Sequence, residues 1–337
     1  MSAPSEPEPA SPWSAAALLA GVFLNALFLD FVATFYTNFE YVWLLALRLT
    51  LYAAFLCFGV IYFPLQLGER FNGGVDEGIA FALGNGMAWA VRNLLIPIWA
   101  SVWFVTLASF ATSTLDTALL TARTGAAHWP NWRVLLSIIW LLLIAPAASG
   151  SLVRLAQSSL FVVKVSVVLI FGLALSTARY VPEAIERIRE WEGSAPSLEP
   201  ALLFWVVPPL VACSPLIRTV LADRRTIRKV LMWGVAIPFL FAVWAALSTM
   251  AGASVLENGF RKIPLYSHYA GARFNKLGWV KLLLLTFTLL TASRLAANVV
   301  THALVRRGGI VAGTTVTAAL LVLLLPVIDR FGTLSPG

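Results

Sequence analysis

Long apolar runs recur along almost the whole sequence, and they restrict the folds open to this chain more than any other feature. A helix needs roughly 20 apolar residues to cross a bilayer core about 30 Å thick, so the runs predict about nine membrane-spanning helices. Their approximate limits are 14–36, 41–65, 90–121, 133–153, 156–178, 201–222, 229–254, 278–304 and 308–328. The predicted fold class is an all-α, polytopic membrane helix bundle.

The composition indicates the same environment. Of the 337 residues, 59% are hydrophobic and only 12% are charged, whereas soluble domains carry roughly 25% charged residues. These values argue against a soluble enzyme, a disordered protein and a nucleic-acid-binding protein. We therefore expect the lipid bilayer, and no nucleic acid, as a partner. Cys57 and Cys213 both lie within apolar runs and indicate neither a disulfide framework nor a metal site.

The chain divides into a transmembrane domain and two tails. Residues 1–13 are acidic, so we expect a disordered tail and not a signal peptide, which begins with basic residues. Residues 14–328 form the predicted transmembrane domain. Interfacial helices are expected near 74–89 and 182–192, where polar and apolar residues follow helical spacing. Residues 329–337 form a C-terminal tail.

The loop ADRRTIRK, residues 222–229, gives the strongest signal for orientation. Cytoplasmic loops are enriched in Lys and Arg, so this loop predicts a cytoplasmic N-terminus in a multi-pass protein of the plasma or inner membrane. The same topology places the basic segment 255–281 outside, where long loops follow the rule less strictly.

Four ionisable side chains lie well inside predicted spans. A charge at the bilayer centre costs about 2.5–3.5 kcal/mol on insertion scales, so each should face a partner or a wet cavity. A pair between the carboxylate and one of the cations serves either an ion pathway or helix packing alone, and both interpretations stay open. The four residues are Asp30, Arg48, Lys164 and Arg294.

The sixth predicted span is interrupted by Pro208, Pro209 and Pro215. Proline removes a backbone donor, and freed carbonyl groups at membrane depth need protein or a cavity around them. Many secondary transporters bind substrate at such a broken helix near the midplane. Ser214 lies within the break and is predicted to line the site, although a simple proline kink is the alternative.

Trp99 and Trp103 stand four residues apart and share one face of the third predicted span. Two indole rings so placed are expected to sandwich a flat ligand ring, or else to serve as anchors at the membrane surface. The eighth predicted span carries polar residues that serve either a site or hydrogen bonds between helices. These are Thr291, Ser293, Asn298 and Thr301.

The segments GNGMAWAVRNLLIPIW, with Gly84, Arg92 and Trp99, and LAANVVTHA, with Asn298, resemble the nucleobase:cation symporter family. These are permeases of cytosine, purines, allantoin and hydantoins, and the resemblance covers roughly residues 78–328. It implies two inverted five-helix repeats, with substrate between the first, third, sixth and eighth helices. Trp99 would stack on the substrate ring, Asn298 would bond its amide edge, and sodium would lie between the first and eighth helices.

This chain departs from the family in four respects. Trp103 stands where the family often has Gln, and the broken sixth helix has no Trp near Ser214. At the sodium position Ser293 supplies a hydroxyl, but the neighbouring guanidinium of Arg294 repels a cation. Either Arg294 or Lys164 would then act as a fixed cation, which would make the coupling ion a proton or leave the protein without one, with Na⁺ as the alternative that the family implies. No other cofactor is expected. The repeat needs ten helices, so the predicted bundle is incomplete at its C-terminus. Three explanations stay open: the chain is a fragment of a longer permease, a second subunit supplies the missing wall, or the protein no longer transports.

The leading hypothesis is a secondary-active transporter that moves a small planar polar heterocycle, such as a nucleobase or hydantoin, by alternating access. Substrate would bind Trp99, Trp103, Asn298 and Ser214, and the ion-coupling residues would be Asp30, Lys164, Ser293 and Arg294. Alternatives are an amino-acid permease of the same fold and a non-transporting membrane sensor or assembly protein. An enzyme is not expected, because His128, His268 and His302 lack metal-ligand spacing and no catalytic triad is evident.

Overall fold

The structure is a computed structural model, and every regular element in the part of the chain that it describes is helical. The described residues are 11–29, 42–62, 75–121, 132–148, 150–177, 224–256, 278–304 and 310–331, with the single positions 182, 206, 209, 210 and 213. No strand occurs among them, which confirms the predicted all-α class.

Eleven α-helices are described, and eight of the nine predicted spans each overlap at least one of them. Of the span 201–222, the structure describes only residues 206, 209, 210 and 213. The α-helices are α1 (Pro12–Phe23), α2 (Val42–Ala54), α3 (Val75–Leu83), α4 (Asn85–Ala90), α5 (Ile96–Thr121), α6 (Trp132–Ala148), α7 (Leu152–Thr177), α8 (Arg224–Leu231), α9 (Ile237–Leu256), α10 (Gly278–Leu304) and α11 (Ile310–Phe331). The predicted interfacial segment near 74–89 contains α3 and α4. The segment near 182–192 lies outside the described residues except for Pro182.

Three continuous helical stretches are long and apolar enough to cross a membrane, among the residues that the structure describes. They are Asn85–Ala111, Leu152–Gly172 and Arg225–Ala246. The protein is therefore a helical membrane protein, as the composition predicts. The number of spans and the inverted repeat stay predictions.

Three π-helical segments, Phe55–Tyr62, Val91–Leu95 and Met232–Ala236, interrupt or extend these helices. Each of them ends two residues before a proline in the sequence, at Pro64, Pro97 or Pro238. Proline lacks the N–H that a helix needs and its ring presses on the carbonyl of the preceding turn. A wider π turn relieves that contact. Proline alone does not determine where such a segment forms, because Pro146 lies within the regular α6.

Helix α1 is buried on all sides, and residues 14–23 are all shielded from solvent. It packs against α7, against α10 and against the π-helical segment Met232–Ala236. At Gly234 the backbones come so close that an added Cβ would lie 2.9 Å from the Cα of Ala16. At Gly21 an added Cβ would collide with the side chain of Thr291 on α10. Glycine at these two positions lets α1 occupy the centre of the described bundle.

The first predicted span is interrupted directly after α1. The backbone of Leu24 leaves the helical conformation, with φ −87° and ψ 41°, and helix resumes over residues 26–29. Asn25 holds both sides of the break, because its amide nitrogen donates to the Val22 carbonyl and its Oδ1 accepts from the Phe28 amide at 2.8 Å. No proline lies in this span, so the break depends on a single asparagine.

Candidate functional site

The Trp99 and Trp103 indoles of α5 lie inside the described bundle. Their ring centroids are 5.2 Å apart with planes inclined by 27°, and the residues are 7% and 2% exposed. Four-residue spacing on a helix places both rings on one face, as predicted. The two rings contact each other, so a flat ligand would stack on an outer face of the pair and not between the rings. Helix α5 packs along α10.

Asn298 on α10 fastens the C-terminal end of α6. Its buried side-chain nitrogen lies 3.0 Å from the carbonyl oxygen of Ala147, 3.3 Å from that of Ala148 and 2.7 Å from that of Gly150. Nε2 of His302 lies 3.0 Å from the Gly150 carbonyl and must carry the proton there, because a carbonyl only accepts. Carbonyls at the end of a helix lack intrahelical partners, and α10 supplies them. This occupancy favours a structural role for Asn298.

Arg294 lies one helical turn before Asn298 and is half-buried. Its Nε donates to the Leu143 carbonyl of α6 at 3.1 Å. Pro146 lies close by in the same helix and removes the N–H that would otherwise bond the preceding turn. Lys164, the other candidate for a fixed cation, is exposed on α7. Of these two cations, Arg294 is the one that points into the packed region between helices.

The hydroxyl groups of Thr291 and Ser293 on α10 differ from the bonded Asn298 and Arg294 side chains. Thr291 Oγ1 and Ser293 Oγ are buried, and neither has a hydrogen-bond partner in the described part of the chain. A buried polar group without a partner costs about 1–3 kcal/mol. Thr301 of the same helix shows the usual solution, since its Oγ1 donates to the Ala297 carbonyl at 2.8 Å. A ligand, an ion or a water molecule that bonded either of the first two hydroxyls would remove this cost.

Thr291 and Ser293 lie on different faces of α10. Two residues correspond to about 200° of rotation in an α-helix, so their side chains leave the helix in nearly opposite directions. Thr291 faces α1 at Gly21, close in sequence to the break at Leu24 and Asn25. Trp140 Nε1 of α6 is a third buried donor without a described partner. Sequence reasoning missed Trp140 and Asn25, because neither belongs to a periodic or proline-containing pattern.

The remaining predicted site residues lie outside what the structure describes. Asp30 and Ser214 are not among the described residues, and of Arg48 only the backbone is described. The predicted pairing of Asp30 with a cation therefore stays a prediction, as does a site around Pro208 and Pro215. Among the described residues, no three His, Cys, Asp or Glu side chains cluster in a way that would hold a metal ion.

Comparison of the sequence with models of protein families gave no match, and comparison with curated proteins gave none at the threshold applied. The functional interpretation therefore depends on the geometry of α1, α5, α6 and α10.

Proposed function

We propose that the protein is a secondary-active transporter for a small planar polar heterocycle, such as a nucleobase or a hydantoin. It would work by alternating access in the plasma or inner membrane, with its N-terminus in the cytoplasm. The observation that carries the proposal is the buried Trp99 and Trp103 stack on α5, which packs along the helix with the unpartnered hydroxyls of Thr291 and Ser293.

A planar heterocycle suits this combination of groups. Indole faces provide apolar area and a stacking geometry for a flat ring. The Thr291 hydroxyl has one donor and two acceptor positions, so it can bind either an N–H or a carbonyl at the ring edge. Ser293 leaves α10 in nearly the opposite direction and would serve the coupling ion instead. A pocket that is mostly apolar with few polar groups is the usual composition of a small-molecule site.

The interruption of the first predicted span, directly after α1, adds a structural basis for movement. Discontinuous helices in transporters lie at the substrate site, and rigid groups of helices rock around it. The interruption at Leu24 and Asn25 lies four residues beyond the contact between Gly21 and Thr291. We propose that substrate binding near Thr291 is coupled to motion of the segment that follows this break.

We propose the proton as the coupling ion, with Na⁺ as the alternative. Arg294 follows Ser293 directly and its guanidinium is held by the Leu143 carbonyl. A fixed positive charge beside a hydroxyl reduces the affinity of that hydroxyl for a metal cation. Uptake driven by a pH gradient, compared with uptake driven by a sodium gradient, distinguishes the two ions.

An amino-acid permease receives less support. Such a protein offers free backbone amides at a helix break to the substrate carboxylate. In this chain two of the amides after the break are already bonded to Asn25, since Phe28 donates to its side chain and Leu29 donates to its carbonyl at 3.1 Å. Fewer amides are left for a carboxylate.

A non-transporting membrane protein on the same scaffold is the second candidate, and a specific observation favours it. Arg294, Asn298 and His302 all bond carbonyls of α6 or of the turn after it. These bonds tie the C-terminal end of α6 to the C-terminal third of α10, which suits a rigid sensor or assembly protein better than a carrier. A second subunit would complete such an assembly.

Reconstitution into liposomes separates these candidates. Labelled nucleobases, hydantoins and amino acids are offered to vesicles that contain the purified protein, and both binding and accumulation inside are measured. The proposal predicts saturable accumulation of at least one heterocycle. Binding without accumulation supports the non-transporting candidate, and accumulation of amino acids alone supports the permease.

Substitution of the indole tests the stacking site. Trp99→Phe keeps an aromatic ring and should raise the half-saturating substrate concentration about fivefold, corresponding to a loss of about 1 kcal/mol of stacking. Trp89→Phe is the matched control, because Trp89 is 58% exposed. Equal effects of the two substitutions would remove Trp99 from the site.

A further inference from the structure

Helix α8 has one buried apolar face and one exposed basic face. Ile227, Val230 and Leu231 are each 2% exposed and pack inward. The exposed residues share one helical face, because the later three follow the first by three, four and seven positions. They are Arg225, Arg228, Lys229 and, at the first position of the following π-helical segment, Met232.

Aromatic residues from two other elements meet this face. Trp13, in the first turn of α1, and Trp233, next to Met232, have ring centroids 5.8 Å apart, and the residues are 60% and 49% exposed. The Arg228 guanidinium carbon lies 5.9 Å from the ring centroid of Tyr62, at the end of the first π-helical segment. We define Trp13, Tyr62, Arg228, Lys229, Met232 and Trp233 as the basic aromatic surface.

Each kind of side chain in the basic aromatic surface suits one part of a phospholipid molecule. Exposed tryptophans prefer the headgroup level of a membrane, where one edge is polar and the ring is apolar. Arg and Lys next to a membrane helix attract anionic headgroups, and an arginine held over a tyrosine ring is fixed in position. Met232, 55% exposed, adds apolar area beside the cations.

We propose that the basic aromatic surface binds an anionic phospholipid of the surrounding leaflet. Arg228 and Lys229 would bond the phosphate, while Trp13, Trp233 and Met232 would contact the glycerol region and the upper acyl chains. A free phosphate ion would use only the cations and leave the apolar half of the surface unoccupied. The site is separate from the buried indoles of α5 and does not depend on the substrate proposed above.

Thermal unfolding of the purified full-length protein in neutral detergent tests this site. Phosphatidylglycerol, phosphatidylcholine and inorganic phosphate are added separately at equal concentration. We expect phosphatidylglycerol to raise the unfolding midpoint by about 5 °C when it is near saturation, and the other two to have little effect. An equal rise with phosphatidylcholine, or with inorganic phosphate alone, would overturn the proposal.

Charge-neutralising variants localise the effect. Arg228→Gln should lose at least half of the shift caused by phosphatidylglycerol, and Lys229→Gln gives a second, independent variant if the first does not fold. Arg154→Gln is the matched control, because Arg154 is an exposed arginine near the start of α7, outside this surface. A full shift in both Arg228→Gln and Lys229→Gln, or an equal loss in the control, contradicts the assignment.

Discussion

Helix α10 carries two kinds of buried polar group, and they differ in how they are bonded. Arg294 and Asn298 donate to carbonyls of α6 or of the turn that follows it. Thr291 and Ser293 have no hydrogen-bond partner among the described residues. The bonded side chains stabilise the bundle, whereas the unbonded hydroxyls destabilise it unless a ligand, an ion or water bonds them. The difference identifies the unbonded hydroxyls, and not the bonded amide, as the better candidates for ligand contacts.

A similar difference separates α5 from α6: α5 carries the groups proposed to contact the ligand, and α6 carries groups that hold two helices together. The indoles of Trp99 and Trp103 are the proposed stacking groups, whereas the carbonyls at the end of α6 are already bonded by Asn298 and His302. A ligand that used Asn298 would have to break bonds that hold two helices together. Substitutions that remove bonded and unbonded groups should therefore act on different quantities.

The largest effect is expected for Asn298→Leu. It leaves the carbonyls of Ala147 and Ala148 without their side-chain donor, while Gly150 keeps only His302, and we expect a loss of about 3 kcal/mol in the free energy of unfolding. Denaturant unfolding in detergent measures it. His302→Leu is the control with a smaller effect, because His302 is exposed. An Asn298→Leu protein of normal stability with impaired substrate binding would reverse our assignment of this residue.

A smaller effect is expected where α1 meets the π-helical segment Met232–Ala236. Gly234→Ala places a Cβ 2.9 Å from backbone atoms of Ala16, which cannot move independently, and should cost about 2 kcal/mol of stability. Gly172→Ala is the matched control, since no atom lies within 4 Å of its added Cβ and alanine favours the helix. Equal unfolding midpoints for the two variants would contradict the close packing of α1.

The smallest effect is expected for Ser166→Ala on α7. Its hydroxyl lies 3.0 Å from the Phe287 carbonyl of α10 and 2.9 Å from the Val162 carbonyl of its own helix. Loss of the bond between helices should cost about 1 kcal/mol, since the carbonyls keep their helical bonds. The unfolding midpoint measures this loss of stability. A loss as large as that of Asn298→Leu would show that the stability cost does not follow the number of carbonyls that each side chain bonds.

Much of the fold could be predicted from sequence because it depends on short patterns. Apolar runs predicted the helices, and four-residue spacing placed Trp99 and Trp103 on one face. The break at Asn25 could not be predicted, because asparagine breaks a helix only when its side chain finds backbone partners. The partners of Asn298 and the exposure of Lys164 depend on how helices pack, which periodicity alone does not determine.

The most direct test of the proposed ligand contact is to remove the Thr291 hydroxyl and to measure both unfolding and uptake on that one variant. Thr291→Val keeps the shape of the side chain and removes only the polar group. We predict that the unliganded protein is as stable as the wild type or up to about 1 kcal/mol more stable, because an unpartnered hydroxyl is lost, while uptake of the heterocycle into liposomes falls. A destabilised variant with unchanged uptake would contradict the account, because the hydroxyl would then belong to the scaffold.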